Sequence, residues 1–154
     1  MEKSTIKKTI IVNYGDEKIG KSTSIRGVYN ELQKKYEIKE LREVIRGKQP
    51  DSDISALFEI NGIKFGLESQ GEPDSRIFDS LNEFLEEECD LIIVSCRTDG
   101  EVMKKIKSLE NEGYRIIWTQ NYLCKGCGKT LNLLNSLYVL NIIVMIHYIL
   151  NGDL

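Results

Sequence analysis

The chain has 154 residues, enough for one domain with a sizeable core, and shows no linker, repeat or low-complexity tract that would divide it. Apolar residues make up 41% and charged residues 29%, ordinary for a soluble globular protein, while a net charge of −3 with scattered basic residues gives nucleic acid no electrostatic footprint. Four cysteines at irregular spacing make no secreted disulfide framework, and residues 1–8 lack the apolar segment of a signal peptide, so the cytoplasm is the expected compartment.

Residues 7–13 are rich in Ile and Val with little alternation, the pattern of a central strand buried on both faces. Gly15 follows, then Asp16, Glu17, Lys18 and Ile19, then Gly20-Lys21-Ser22-Thr23. Beyond these, Ile25, Val28, Tyr29, Leu32 and Tyr36 fall at helical spacing and predict a helix over 21–35. Gly27 inside it costs about 1 kcal/mol against Ala, a cost that close packing on the sheet would explain. Residues 36–45 fit either a helix or a strand; strand is preferred because a second strand should follow the first helix of an α/β chain.

A loop broken by Pro50 leads to two apolar-rich runs, 54–60 and 63–67, joined by Asn61-Gly62, the pair that most strongly signals a type I′ hairpin. Ile77, Phe78, Leu81, Phe84 and Leu85 mark a helix ending near Cys89, with Ser75 or Asp74 as its cap. A buried strand over 90–96 comes next, then a helix carried by Val102, Ile106 and Leu109 and stopped near Gly113, then a last strand over 114–119. Residues 120–128 read as loop and 130–150 as a long apolar helix. This order predicts a three-layer α/β/α sandwich, its sheet mostly parallel with one antiparallel hairpin strand. Ligands of such sheets bind at the carboxyl ends of the strands, which puts Gly15, Glu68, Arg97 and Asn121 on one rim.

The spacing G-x-x-x-x-G-K-[ST] between a strand and a helix is that of a phosphate loop. Its glycines let successive N–H groups face one concavity, and the helix that follows adds the positive end of its dipole. On these residues the chain resembles the P-loop NTPase superfamily. The resemblance implies a nucleoside triphosphate held by Gly15, Asp16, Glu17, Lys18, Ile19, Gly20, Lys21, Ser22 and Thr23. Lys21 would reach the terminal phosphates and the Ser22 hydroxyl would ligate Mg²⁺.

A phosphate loop also needs an acid on a neighbouring strand to position the metal and its water, and Glu68 is the best placed carboxylate. Glu68-x-x-Gly71 looks like the D-x-x-G switch of Ras-like GTPases with Glu for Asp. That likeness implies that the Gly71 N–H meets the terminal phosphate and that Glu72 stands where Gln orients the attacking water. The guanine-reading motif of that family has no counterpart. Cys96-Arg97-Thr98-Asp99 has its shape but follows the wrong strand, and Thr119-Gln120-Asn121-Tyr122 lacks its Lys and Asp. ATP is therefore preferred to GTP. Arg97, just past a buried strand, suits an internal arginine finger or a clamp on an anionic acceptor.

Three classes of protein fit these residues. One is an NTP hydrolase built on Lys21, Ser22, Glu68, Gly71 and Arg97. Another is a small-molecule or nucleotide kinase, with Gln70, Glu72, Asp74, Arg76 or Arg97 holding the acceptor. The third is a module that holds nucleotide without turnover. Cys124 and Cys127 supply only two of the four ligands a structural zinc needs and are expected to be loop cysteines with no role. The Gly-Lys-Thr at 128–130 is a lookalike, because Leu123 stands where the first glycine belongs. No charged residue occurs in 130–152, long enough to cross a bilayer. Asn132, Asn135, Ser136, Asn141 and His147 interrupt that stretch. A helix packed on the sheet, with a further apolar strip for homodimerisation, is expected ahead of a membrane span.

Overall fold

A computed structural model describes residues 6–15, 21–47, 53–124 and 128–154. They form an α/β protein with a mixed sheet of seven strands and four helices. The strands are β1 (Thr9–Tyr14), β2 (Lys39–Glu40), β3 (Ile45–Arg46), β4 (Ile54–Ile60), β5 (Ile63–Glu68), β6 (Leu91–Cys96) and β7 (Arg115–Thr119). The helices are α1 (Lys21–Lys35), α2 (Ile77–Glu86), α3 (Glu101–Ser108), prolonged by a 3₁₀ turn, and α4 (Gly128–Leu150).

Strand order is β2-β4-β5-β6-β1-β7, with β3 also on β4. β5, β6, β1 and β7 run parallel, β4 runs against β5, and β2 and β3 run against β4. The hairpin is the expected one: Asn61 (φ 51°) and Gly62 (φ 81°) both take the positive φ of a type I′ turn, and Ile60 faces Ile63 directly.

The apolar runs of β1 and β6 have no polar face because each side of the sheet meets a hydrophobic cluster. On one side Ile11, Phe65, Leu67 and Ile93 pack with Ile25, Val28, Tyr29 and Leu32 of α1 and with Tyr138, Ile142, Ile146 and Ile149 of α4. On the other side Ile10, Val12, Ile92 and Val94 pack with Ile77, Leu81 and Phe84 of α2 and with Val102 and Ile106 of α3. Close approach explains two glycines. A Cβ on Gly27 would lie 2.9 Å from Val139 Cγ2 of α4, and one on Gly66 would overlap the Phe84 ring.

Two expectations about local structure change. Residues 36–45 give no full strand, only the two-residue pieces β2 and β3 on the outside of β4, with all four residues exposed. Between them Arg42 turns back over the edge, its Nε 2.9 Å from Glu83 Oε2 of α2 and its Nη2 2.8 Å from Ser55 Oγ. That fork holds the segment to side chains where a longer strand would have used backbone pairing. Helix α2 starts at Ile77 with Arg76, not Ser75 or Asp74, in the cap position and without a side-chain bond there. The Ser75 hydroxyl still serves the first turn, accepting from Ile77 N at 3.3 Å and donating to Glu72 O at 2.7 Å.

Because the Phe84 ring lies directly on the β5 backbone, Gly66→Ala is expected to destabilise the fold by about 1–3 kcal/mol. The check is equilibrium denaturation, read as a lower midpoint at unchanged slope.

Candidate functional site

The four parallel strands end at one edge, and the chain gathers polar groups there. α1 opens on Lys21, whose Nζ donates to Gly15 O at 2.5 Å, so the lysine head lies back across the end of β1. Gly15 N donates to Cys96 O at 3.1 Å, and its φ of 150° lies where side chains are disfavoured. Asp16, Glu17, Lys18, Ile19 and Gly20 lie outside the described residues, so the site is defined here by the two anchors of the expected phosphate loop.

After β5 the chain crosses the end of β6 towards α1. Ser95 Oγ donates to Ser69 O at 2.5 Å, and Ser22 Oγ points at the same carbonyl from 3.4 Å. A Cβ on Gly71 would lie 2.5 Å from Ser95 O and 2.9 Å from Cys96 Cα, so only glycine allows this crossing. The result is a cleft of about 510 Å³ with Lys21, Ser22 and Ser95 on one side and residues 69–72 and 74–76 on the other.

Glu68 is fully buried, and strand alternation fixes where it points. Phe65 and Leu67 of β5 belong to the α1 and α4 side, so Glu68 faces α2. Its Oε1 accepts from Arg76 Nε at 2.7 Å and from Ser80 Oγ at 2.6 Å, and its Oε2 accepts from Gln70 N at 3.0 Å. Arg76 also pairs with Asp53 at 3.4 Å. β6 lies between β5 and β1, so Glu68 is not on the strand next to the expected phosphate loop. Two strand spacings put the β5 and β1 axes roughly 10 Å apart. The structure thus brings Glu68 and Ser22 to one rim, with the carboxylate in the hands of Arg76 and Ser80.

Arg97 lies just past β6, its Nε 2.6 Å from Glu72 Oε2. The 68–76 segment is therefore closed on itself by the Glu68–Arg76 pair and tied at its middle to the end of β6 by the Glu72–Arg97 pair. Asn121 lies on the same rim, in the loop after β7, and bonds to three elements. Its Oδ1 accepts from Asn13 Nδ2 at 2.6 Å, and its Nδ2 donates to Ser24 Oγ at 2.7 Å and Asn135 Oδ1 at 2.8 Å. Asn13 Oδ1 is buried and has no hydrogen-bond partner among the described residues.

Ser95, Asn13 and Asn135 escape a sequence reading based on motifs. For Ser95 and Asn13 the signal was present: each is a polar residue one position before the end of an otherwise apolar strand. Cys96 sits beside them, but burial pushes its thiol up to about 11, and Cys89 up to about 12, so neither is a nucleophile near neutral pH. Cys124, expected to have no role, is disulfide-bonded. Among the described residues no three His, Cys, Asp or Glu side chains cluster as a metal site.

No family model, no curated protein and no solved structure matches this chain.

Asn121→Ala removes the partner of three buried polar groups and is expected to cost about 1–3 kcal/mol, with amide exchange rising first in the opening turns of α4. The two thiols give a pH test. The folded state holds both protonated, so their contribution is intact below the ordinary thiol value of 9.0 and is lost as pH rises towards 11 and 12. Peptide mass spectrometry after iodoacetamide treatment at pH 8 should find Cys89 and Cys96 unlabelled in the native chain and labelled in urea.

Proposed function

We propose that this chain is a P-loop protein that binds a nucleoside triphosphate with Mg²⁺ and transfers its terminal phosphoryl group, with water as the first acceptor. In this reading the apolar clusters on both faces of the sheet belong to the three-layer α/β/α sandwich of that superfamily. The observation that carries it is the placement of Lys21 and Ser22, in the first turn of α1, against the cleft of about 510 Å³ at the carboxyl edge of the sheet.

The Lys21 ammonium would leave Gly15 O for the terminal phosphates, and backbone N–H groups from Gly15 to Thr23 would surround them. The Ser22 hydroxyl and the Ser69 carbonyl are hard oxygen donors, and the open cleft leaves room for the waters that Mg²⁺ keeps, so the residues present fit that ion. Mg²⁺, when bound, supplies charge neutralisation on the phosphates. Glu68 reaches this centre through water or through Arg76, because β6 separates it from Ser22. The Gly71 N–H would meet the terminal phosphate, and Arg97 would exchange Glu72 for the charge that develops there. ATP is preferred because no Lys and Asp follow β7 to read guanine.

One observation favours a second acceptor. Gln70, Glu72, Asp74, Ser75 and Arg76 form a polar wall on the cleft, with room for a metabolite beside Lys21. In a kinase, Glu72 or Asp74 would take the proton of the acceptor hydroxyl.

Lys21→Ala is expected to weaken ATP binding by about 100-fold or more, measured by calorimetry with Mg²⁺; unchanged affinity refutes the proposal. Glu68→Gln should keep affinity within a few-fold and slow phosphate release. Phosphate released without any added acceptor supports the hydrolase, release only when a hydroxyl acceptor is supplied supports the kinase, and tight binding with neither leaves a nucleotide-holding module.

A further inference from the structure

The outer face of α4 carries a repeat that the core does not use. Leu133, Leu137, Leu140 and Val144 follow one another at intervals of four, three and four residues, and are 61, 43, 50 and 51% exposed. The same rhythm continues through His147 and Asn151. Alternating steps of four and three place one residue per turn on a narrow seam, the a and d positions of a left-handed helix pair. Leu133 and Leu140 fall at d, and Leu137 and Val144 at a. The opposite face of α4, with Tyr138, Ile142, Ile146 and Ile149, is already buried in the core. The seam is therefore surplus to folding.

We propose that a second copy of this chain docks on this seam, α4 against α4, about a two-fold axis near Leu140. Area is the first argument. Tyr148 flanks the seam, and a hydrogen bond between the Tyr122 hydroxyl and Asn141 brings Tyr122 and Leu123 alongside it. These side chains together offer on the order of 700 Å² of apolar surface, close to the ~800 Å² per partner of a stable interface.

Charge is the second argument. Residues 130–152 contain no Asp, Glu, Lys or Arg. Two identical faces can therefore meet without like-charge repulsion, and a partner selected by charge has nothing on α4 to read. Shape is the third. A groove of about 460 Å³ runs beside the seam between α1 and α4, lined by Gly27, Asn30, Ser136, Val139 and Leu140, and it can receive a leucine from the partner's seam. Exposed Asn132, Ser136 and Asn141 edge the seam on both flanks.

Sedimentation velocity of the full chain at micromolar concentration should give a species of twice 17.7 kDa. Leu140→Lys and Leu140→Glu should each weaken the dimer by about 100-fold or more, because each brings two like charges together across the axis. Mixing the two variants should restore it. Both should keep the wild-type circular dichroism, since Leu140 is half-exposed, and Leu133→Lys, at the most exposed seam position, provides a second disruption should Leu140 variants fold poorly. A monomeric wild type, a dimer indifferent to these substitutions, variants that do not re-pair when mixed, or flotation of the chain with phosphatidylcholine–phosphatidylglycerol vesicles would each overturn the proposal.

Discussion

The amide of Asn121 is the constraint on which the arrangement of the rim depends. Apolar clusters hold the helices against the sheet, but Leu, Ile and Val tolerate small slides of a helix along its axis. A buried amide bonded on both sides does not, because its directions and distances are fixed. Asn121 joins the end of β1 through Asn13, the first turn of α1 through Ser24 and the second turn of α4 through Asn135. Thr119 adds bonds to Val12 O at 2.8 Å and to the Tyr138 hydroxyl at 2.7 Å. The position of Lys21 and Ser22 relative to the sheet edge follows from this network more than from the greasy contacts beneath it.

A second polar frame governs the far wall of the cleft. The 68–76 segment is held by two ion pairs, a buried one that joins its ends and a half-exposed one at its middle. Glu68 with Arg76 and Ser80 lies in the protein, where losing one member strands the other. Glu72 with Arg97 sits at the mouth, screened by solvent and worth little to stability. The inner tie is thus the fixed hinge of the wall and the outer tie is its latch, a division that follows from burial alone.

Much of the fold could be read from the sequence wherever the signal was local. Asn61-Gly62 fixed the hairpin because only those residue types accept two positive φ values in succession, and the spacing of Ile25, Val28 and Leu32 fixed α1. Strand order could not be read, since nothing local in β5 or β6 says which of them lies next to β1. That non-local fact separates Glu68 from the expected phosphate loop. It also limits how much of the site the motif alone could define: the end of β1 and the start of α1 were legible, while the direction of the Glu68 side chain depended on which face α1 would cover. The weak strand over 36–45 was lost to Arg42, whose bonds to Glu83 and Ser55 are long-range and leave no periodic trace.

Gly27 has a consequence beyond permitting contact. With Val139 Cγ2 so close to its Cα hydrogen that a methyl group would collide, α1 touches α4 through its backbone at that point. A displacement of the first turn of α1 is felt by α4 there through a direct backbone-to-methyl contact, with no α1 side chain in between. The outer surface of the protein is in this sense geared to its sheet edge, with a single missing methyl group as the tooth.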